Sequence, residues 1–267
     1  MSDFNMNRKQ SVVLLLSFYC LFGSGNIKAQ PIKTNIHIPV RPDTILTIDF
    51  TQKIRSWDGF GVNYVETAQT RDYDKWPQEY GSFSLLTEDE RQEILDLIFG
   101  SDGLKPAITK MFLDPFHEGM KKSGNDNDDP WTINMPGFDH KSTTKWVRYF
   151  NQQGLKKTHE WGGDLTILTT LYGPAPWMTK QKFVLGPWLD PQEKLELVEY
   201  MTSWVKYLCE VEKLPVKYLS FHNEGDAYYR WPRDGSNPGE DHRDYNMLWP
   251  PEQVVDFLKI TRTMLDR

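Results

Sequence analysis

The chain has 267 residues, of which 39% are hydrophobic and 25% charged, enough apolar content for one large domain and too much for a disordered chain. Its formal charge is -6 at neutral pH, which argues against nucleic acid as a partner. It has two cysteines, Cys20 and Cys209; Cys20 falls in a leader segment, so no disulfide framework is expected, and Cys209, placed in a helix, reads as a small buried hydrophobe.

Residues 1–29 have the order of a secretory signal: Arg8 and Lys9, an apolar core from Ser11 to Phe22, then small and polar residues ending Ile27-Lys28-Ala29. The core is too short, and the sequence after it too polar, for a membrane span. Cleavage near Ala29 would leave a secreted or periplasmic protein beginning at Gln30, with a formal charge of about -8. Residues 30–54 then form an extended segment with alternation in Thr44-Ile-Leu-Thr-Ile-Asp-Phe50.

From residue 55 to 267 strands and helices alternate. Trp57-Asp-Gly-Phe-Gly-Val-Asn63 is short, apolar and glycine-bounded, and Thr87-Glu-Asp-Glu90 is a capping box opening a helix that Gly100 ends. Ala107 to Leu113 reads as the second strand, and Ser142 to Gln153 as the second helix, stopped by Gly154. Leu165 to Tyr172 is the third strand. Asp190-Pro191 starts the third helix, where Leu195, Val198, Met201, Val205 and Leu208 share one face. Val216 to Phe221 is the fourth strand and Pro251 to Leu265 the fourth helix. Such alternation predicts an α/β fold of parallel strands joined by right-handed crossovers, with chemistry in the loops after the strands.

Those loops are long, roughly 25 residues where about 2 to 6 is usual, and long ordered loops usually bind something. Trp57, Trp76, Trp131, Trp177, Trp188, Trp231 and Trp249 lie in them or at strand ends. Singly each reads as a lid packing its loop; as a set they suggest platforms for sugar rings. The fourth strand ends in Asn223-Glu224-Gly225. A glutamate at the end of an apolar strand is either paired with a base or kept for use as an acid. Two readings of Glu224 stay open on spacing alone: a general acid beside a sugar-binding amide, or a structural partner of Arg230 or of a helix start.

Three stretches in order resemble glycoside hydrolase family 30, within clan A of the retaining glycosidases: Asp58-Gly-Phe-Gly-Val-Asn63, Tyr172-Gly-Pro-Ala-Pro-Trp-Met-Thr-Lys180 and Ser220-Phe-His-Asn-Glu224. The resemblance implies a (β/α)8 TIM barrel, of which this chain would hold about the first four βα units. Residues 30–54 would contribute an N-terminal strand to an attached β-sandwich, and residues 55–267 would be a partial catalytic domain. It implies a secreted hydrolase of β-linked glucans, xylans or glucosides acting with retention, on a polysaccharide or oligosaccharide substrate. Glu224 matches the general acid/base and Asn223 the amide that binds the hydroxyl next to the reacting carbon. Trp177 matches an aromatic wall of the sugar site, with Tyr172 and Asn63 in the same matching stretches, and Asp114 resembles a sugar-binding carboxylate. Two departures stand out: Gly225 replaces the family's proline, and Lys110-Met-Phe-Leu-Asp-Pro115 lacks its arginine-containing pattern.

A retaining glycosidase also needs a nucleophile about 5 to 5.5 Å from its acid, which in this clan comes from the end of strand seven. Glu66, Asp114 and Glu118 could face the same pocket, but none has that position. The expectation is a truncated chain lacking its nucleophile, with the C-terminal half of the barrel as a missing partner. A non-catalytic carbohydrate-binding protein is the alternative.

No cofactor or metal is expected. Asn125-Asp-Asn-Asp-Asp129 lacks the glycine and distal glutamate of a calcium loop and reads as a solvated polar turn; no His–Cys cluster has zinc spacing; no glycine-rich phosphate loop opens a helix; and the nucleophile elbow of a Ser-His-Asp hydrolase is missing. For the leader, mass spectrometry of exported protein is expected to find Gln30 at the N-terminus; an intact Met1 in that material would overturn the assignment.

Overall fold

Four strands pair in parallel in the order of the chain: β1 (Gly61–Val62), β2 (Ile108–Leu113), β3 (Thr166–Leu171) and β4 (Val216–Ser220). The coordinates are those of a computed structural model, which describes residues 51, 55–64, 67, 83–116, 129, 131–183, 186–225 and 245–267. The leader, all of residues 30–54 but Thr51, and Glu66, Trp76, Glu118, Arg230 and Trp231 lie outside the described residues. By internal contacts the chain divides into residues 1–55 and 56–267, and the sheet with its helices belongs to the second unit.

Helices α1 (Glu88–Phe99), α2 (Lys145–Glu160), α3 (Lys194–Glu210) and α4 (Pro251–Leu265) come after the four strands in turn. The capping box at α1 is present in both directions: the Thr87 hydroxyl accepts from the Glu90 N–H, and the Thr87 N–H donates to the Glu90 carboxylate at 2.8 Å. Asp190 caps a short 3-10 turn, Pro191–Glu193, that leads into α3.

The strand pattern divides into two faces. Ile167 and Leu171 of β3, with Met111 and Leu113 of β2, are buried against Val198, Met201, Trp204 and Leu208 of α3. The threonines on this face are bonded rather than stranded. Thr109 reaches the Asn151 side chain at 2.6 Å, and the Trp204 indole N–H donates to Thr169 at 2.9 Å. Hydrogen bonds thus offset the desolvation of these fully buried hydroxyls while joining sheet to helix. The opposite face carries Lys110 and Phe112 on β2, Thr170 and then Tyr172 along β3, and Tyr218 and Ser220 on β4.

Three expectations are corrected. The second helix runs Lys145–Glu160, not from Ser142 to Gln153, because residues 142–144 are held by other bonds. Ser142 N–H donates to Asp139 at 3.1 Å, Thr143 hydroxyl to Asp114, and Thr144 hydroxyl to the His140 carbonyl at 2.5 Å. Gly154 does not stop that helix but sits inside it, where a β-carbon would lie 2.7 Å from the Phe99 ring, so its missing side chain lets α1 and α2 pack. Cys209 is exposed rather than buried. The stripe on α3 is also broader than its five apolar residues. Glu196, Glu199, Thr202 and Ser203 are buried too: the loop before α2 covers two of them through Asn134 N–H to Glu199 at 2.7 Å and His140 to Ser203 at 2.8 Å, and Thr202 lies against Met264 of α4 at 3.1 Å.

Along β4 and α4 a groove of about 280 Å³ is lined by Val205, Val216, Tyr218, Phe221, Leu258 and Leu265. Tyr218, Leu258 and Leu265 are about half exposed there.

Gly154→Ala sets a gain in helix propensity of about 1 kcal/mol against overpacking of about 1–3 kcal/mol. The expected net effect is a destabilisation of about 1 kcal/mol, read from the denaturant midpoint; a stabilised variant would show that the α1–α2 contact has slack.

Candidate active site

β4 ends in a sharp turn whose shape is set by hydroxyls. Thr170 of β3 and Ser220 of β4 both donate to the His222 carbonyl at 2.9 Å, drawing the chain out of the sheet. Glu224 then adopts φ +45°, in the left-handed region that a residue with a β-carbon seldom occupies. Such a conformation persists where surrounding contacts impose it and often marks a functional position. The contacts here come from the segment before α4. Trp249 N–H donates to the Gly225 carbonyl at 2.9 Å, and the Trp249 ring stacks on His222 with centroids 5.9 Å apart. Gly225, where the sequence pattern it resembles has proline, donates its N–H towards His222 Nδ1 at 3.4 Å, and a β-carbon there would lie 2.7 Å from Trp249. Proline would supply neither the donor nor the space.

Asn223 and Glu224 are brought to the open side of this turn, Asn223 half-buried and Glu224 exposed. Lys110 of β2 reaches across to donate to Asn223 Oδ1 at 2.5 Å, and Asn223 Nδ2 donates to Asn246 Oδ1 at 3.0 Å. Asn246 is almost fully buried. Burial pushes the Lys110 ammonium below the ordinary lysine range, while the charge of Glu224 acts in the opposite direction. Lys110 also lies 4.6 Å over the Phe112 ring.

Tyr172 joins Phe112, Phe116 and Tyr245 in a buried aromatic cluster at the strand ends, with ring centroids 4.8 Å from Phe112 and 5.3 Å from Tyr245. Asn63 is exposed after β1, three strands away from Glu224 in the sheet order. Trp177 packs in the main core with 9% of its surface exposed, and Trp249 is buried against Phe221 and Phe257. Trp57, by contrast, is 71% exposed.

Asp114 is fully buried. Its carboxylate accepts from the Phe116 N–H at 2.8 Å and from the Thr143 hydroxyl at 3.1 and 3.2 Å, tying the end of β2 to the start of α2. Asp129 is exposed and accepts from Trp131 N–H and the Thr132 hydroxyl, the bonding of a polar turn. Among the described residues no group of three or more His, Cys, Asp or Glu could hold a metal, and no helix is long and apolar enough to cross a membrane.

Sequence reasoning missed Lys110, Tyr245 and Asn246 as neighbours of the site. A lysine in phase with Phe112 inside an apolar strand was a signal for the first; the other two come from a distant loop and carried none.

A scan against protein-family models finds no match, and no curated protein is similar in sequence. Solved structures do share the fold. SrfJ from Salmonella typhimurium has a TM-score of 0.52 at 15% identity, over 80% of this chain and 42% of that one. An endo-beta1,6-glucanase has a TM-score of 0.51 at 15% identity, over 78% and 41%. A conserved exported protein from Bacteroides fragilis has a TM-score of 0.50 at 13% identity, over 82% and 43%. The chain thus has a fold found in a glycoside hydrolase, and the match spans about two fifths of each of these longer proteins.

Asp114→Ala would remove the acceptor of the Phe116 N–H and the Thr143 hydroxyl in a closed site, an expected loss of about 2–4 kcal/mol in stability without any ligand present. Asp114→Asn, which keeps an acceptor, should lose less. A melting temperature unchanged in Asp114→Ala would show that the carboxylate is not an anchor of the fold.

Proposed function

We propose that Asn223 and Glu224 are the acid/base end of a retaining β-glycosidase site of the family 30 type, acting on a β-linked glucan, xylan or glucoside. The observation that carries this reading is the placement of Glu224: exposed, in left-handed backbone, directly after a half-buried amide fixed by Lys110 and Asn246. The fold shared with an endo-beta1,6-glucanase supports it. So does the groove along β4 and α4, where a fifth strand and helix of a (β/α)8 barrel would pack.

In this mechanism the protonated Glu224 gives its proton to the glycosidic oxygen as the bond to the anomeric carbon breaks. A second carboxylate attacks that carbon from the opposite side and forms a glycosyl ester. Glu224, now ionised, takes a proton from water as the water displaces the ester, which restores both carboxyl groups. Asn223 would hold the hydroxyl beside the reacting carbon. Tyr172 and Asn63 would line the sugar site from the other strand ends, and Trp177 and Asp114 would support its walls from behind. The nucleophile would come from a strand beyond the four described, so residues 30–267 alone are proposed to bind saccharide without turning it over. Export through the leader fits a polysaccharide substrate outside the cell.

The test uses a protein that carries the remaining strands. Glu224→Ala is expected to slow hydrolysis of natural glycans by about 10²–10⁴-fold, and aryl glycosides with good leaving groups far less, because only the former need protonation. Equal losses on both would sink the acid/base role. Tight saccharide binding with no hydrolysis in that protein would instead favour a carbohydrate-binding protein.

A further inference from the structure

We infer that Lys110 is a positioning residue that locks the side-chain amide of Asn223 in one of its two orientations. It does so through an ammonium that can only donate. β2 and β4 are separated by β3, a span of about 10 Å at usual strand spacing, so only a long side chain can join them across the sheet face. Lys110 does, placing Nζ 2.5 Å from Asn223 Oδ1.

An ammonium has three donors and no acceptor, so the amide must turn its oxygen towards Lys110 and its nitrogen away. The nitrogen then meets Asn246 Oδ1 at 3.0 Å, on a side chain that burial keeps in place. In the reversed orientation two sets of donors would face each other at Lys110, and two oxygens at Asn246. With the oxygen committed and one N–H used, the second N–H of Asn223 is the group left for a ligand oxygen that accepts. The Phe112 ring beneath the ammonium partly offsets its lost hydration and holds the stem over the strand.

The lock depends on the proton. Among the described residues the groups acting on Lys110 are Asn223 at the end of β4, itself bonded to Asn246 from the segment before α4, the carboxyl of Glu224 and the Phe112 ring on its own strand; of these only the Glu224 carboxyl is ionisable. With the Lys110 proton affinity lowered by burial, the ammonium loses its charge at a lower pH than an ordinary lysine. A neutral amine can accept as well as donate, so the reversed amide is no longer penalised. Because the folded state then binds fewer protons than the unfolded one, overall stability rises with pH through that window even as the orientation of Asn223 is released.

The experiment tracks the Asn223 side-chain NH₂ resonances in the ¹⁵N-labelled chain from neutral to alkaline pH, identified by their loss in Asn223→Asp. Binding of a β1,6-linked glucose oligosaccharide is measured in parallel by calorimetry. The native signals should move in one alkaline step. Lys110→Met should remove that step and weaken the oligosaccharide about tenfold or more at neutral pH. Lys110→Arg should keep the neutral-pH signals and affinity but show no step, since the guanidinium stays charged.

Asn223 signals that are the same in the native chain and in Lys110→Met overturn the inference whether or not saccharide binds. A step that persists in Lys110→Arg overturns it as well, and that variant keeps the test readable if Lys110→Met fails to fold. The inference rests on the carbohydrate reading only through its binding arm. A Lys110-dependent step with no saccharide affinity would sustain the lock and overturn the sugar site.

Discussion

The parallel register of β2, β3 and β4 governs where every other group in the molecule can sit. Ile108 to Leu113 pair residue for residue with Thr166 to Leu171, and Leu168 to Thr170 with Tyr218 to Ser220. A slip of one residue would exchange the two faces of a strand. It would turn Met111 and Leu113 outward and drive Lys110 into the helix layer, out of reach of Asn223. Polar bonds on the helix side hold the same register: Thr109 to Asn151 and Thr169 to Trp204 exist only when those threonines face α2 and α3. Burial and hydrogen bonding thus select one alignment, and that alignment turns Lys110 and Tyr172 to the same face of the sheet, from which Lys110 reaches Asn223 beyond the end of β4.

At that end the chain accepts local penalties. Glu224 sits in left-handed backbone and Lys110 is half-buried as a cation, each disfavoured when considered alone. Both are stabilised by one element, the segment 245–250. It supplies Asn246 to the amide that Lys110 holds, the Trp249 N–H to Gly225, and Tyr245 to the aromatic cluster. Glycine at 225 is the residue that allows this segment to approach, because a β-carbon there would lie 2.7 Å from Trp249.

Asp114 and Trp177 show the opposite arrangement. Each stands at a strand end where the resemblance implies a sugar contact, yet Asp114 is enclosed by Thr143 and Phe116, and Trp177 packs into the core with Met178 and Leu197. Their part in a sugar site would be to hold the walls of the cleft, leaving direct contact to groups with free surface.

The alternation of strands and helices, the capping box at Thr87, the start of α3 at Asp190-Pro191 and the placing of Asn223-Glu224 after the fourth strand were all legible in the linear chain. These depend on periodicity and on bonds between residues close in sequence, which a linear pattern records. Gly154 was misread as a stop because helix propensity is local, whereas the Phe99 ring that occupies the space beside Gly154 comes from another helix. Cys209 was misread because a helix position says nothing of which side its neighbours will cover. The ties from Lys110 to Asn223 and from Asn223 to Asn246 span 113 and 23 positions. Those were left to the folded chain to decide, because what joins these residues is the spacing of parallel strands and the return of a distant loop, and neither leaves a period in the sequence.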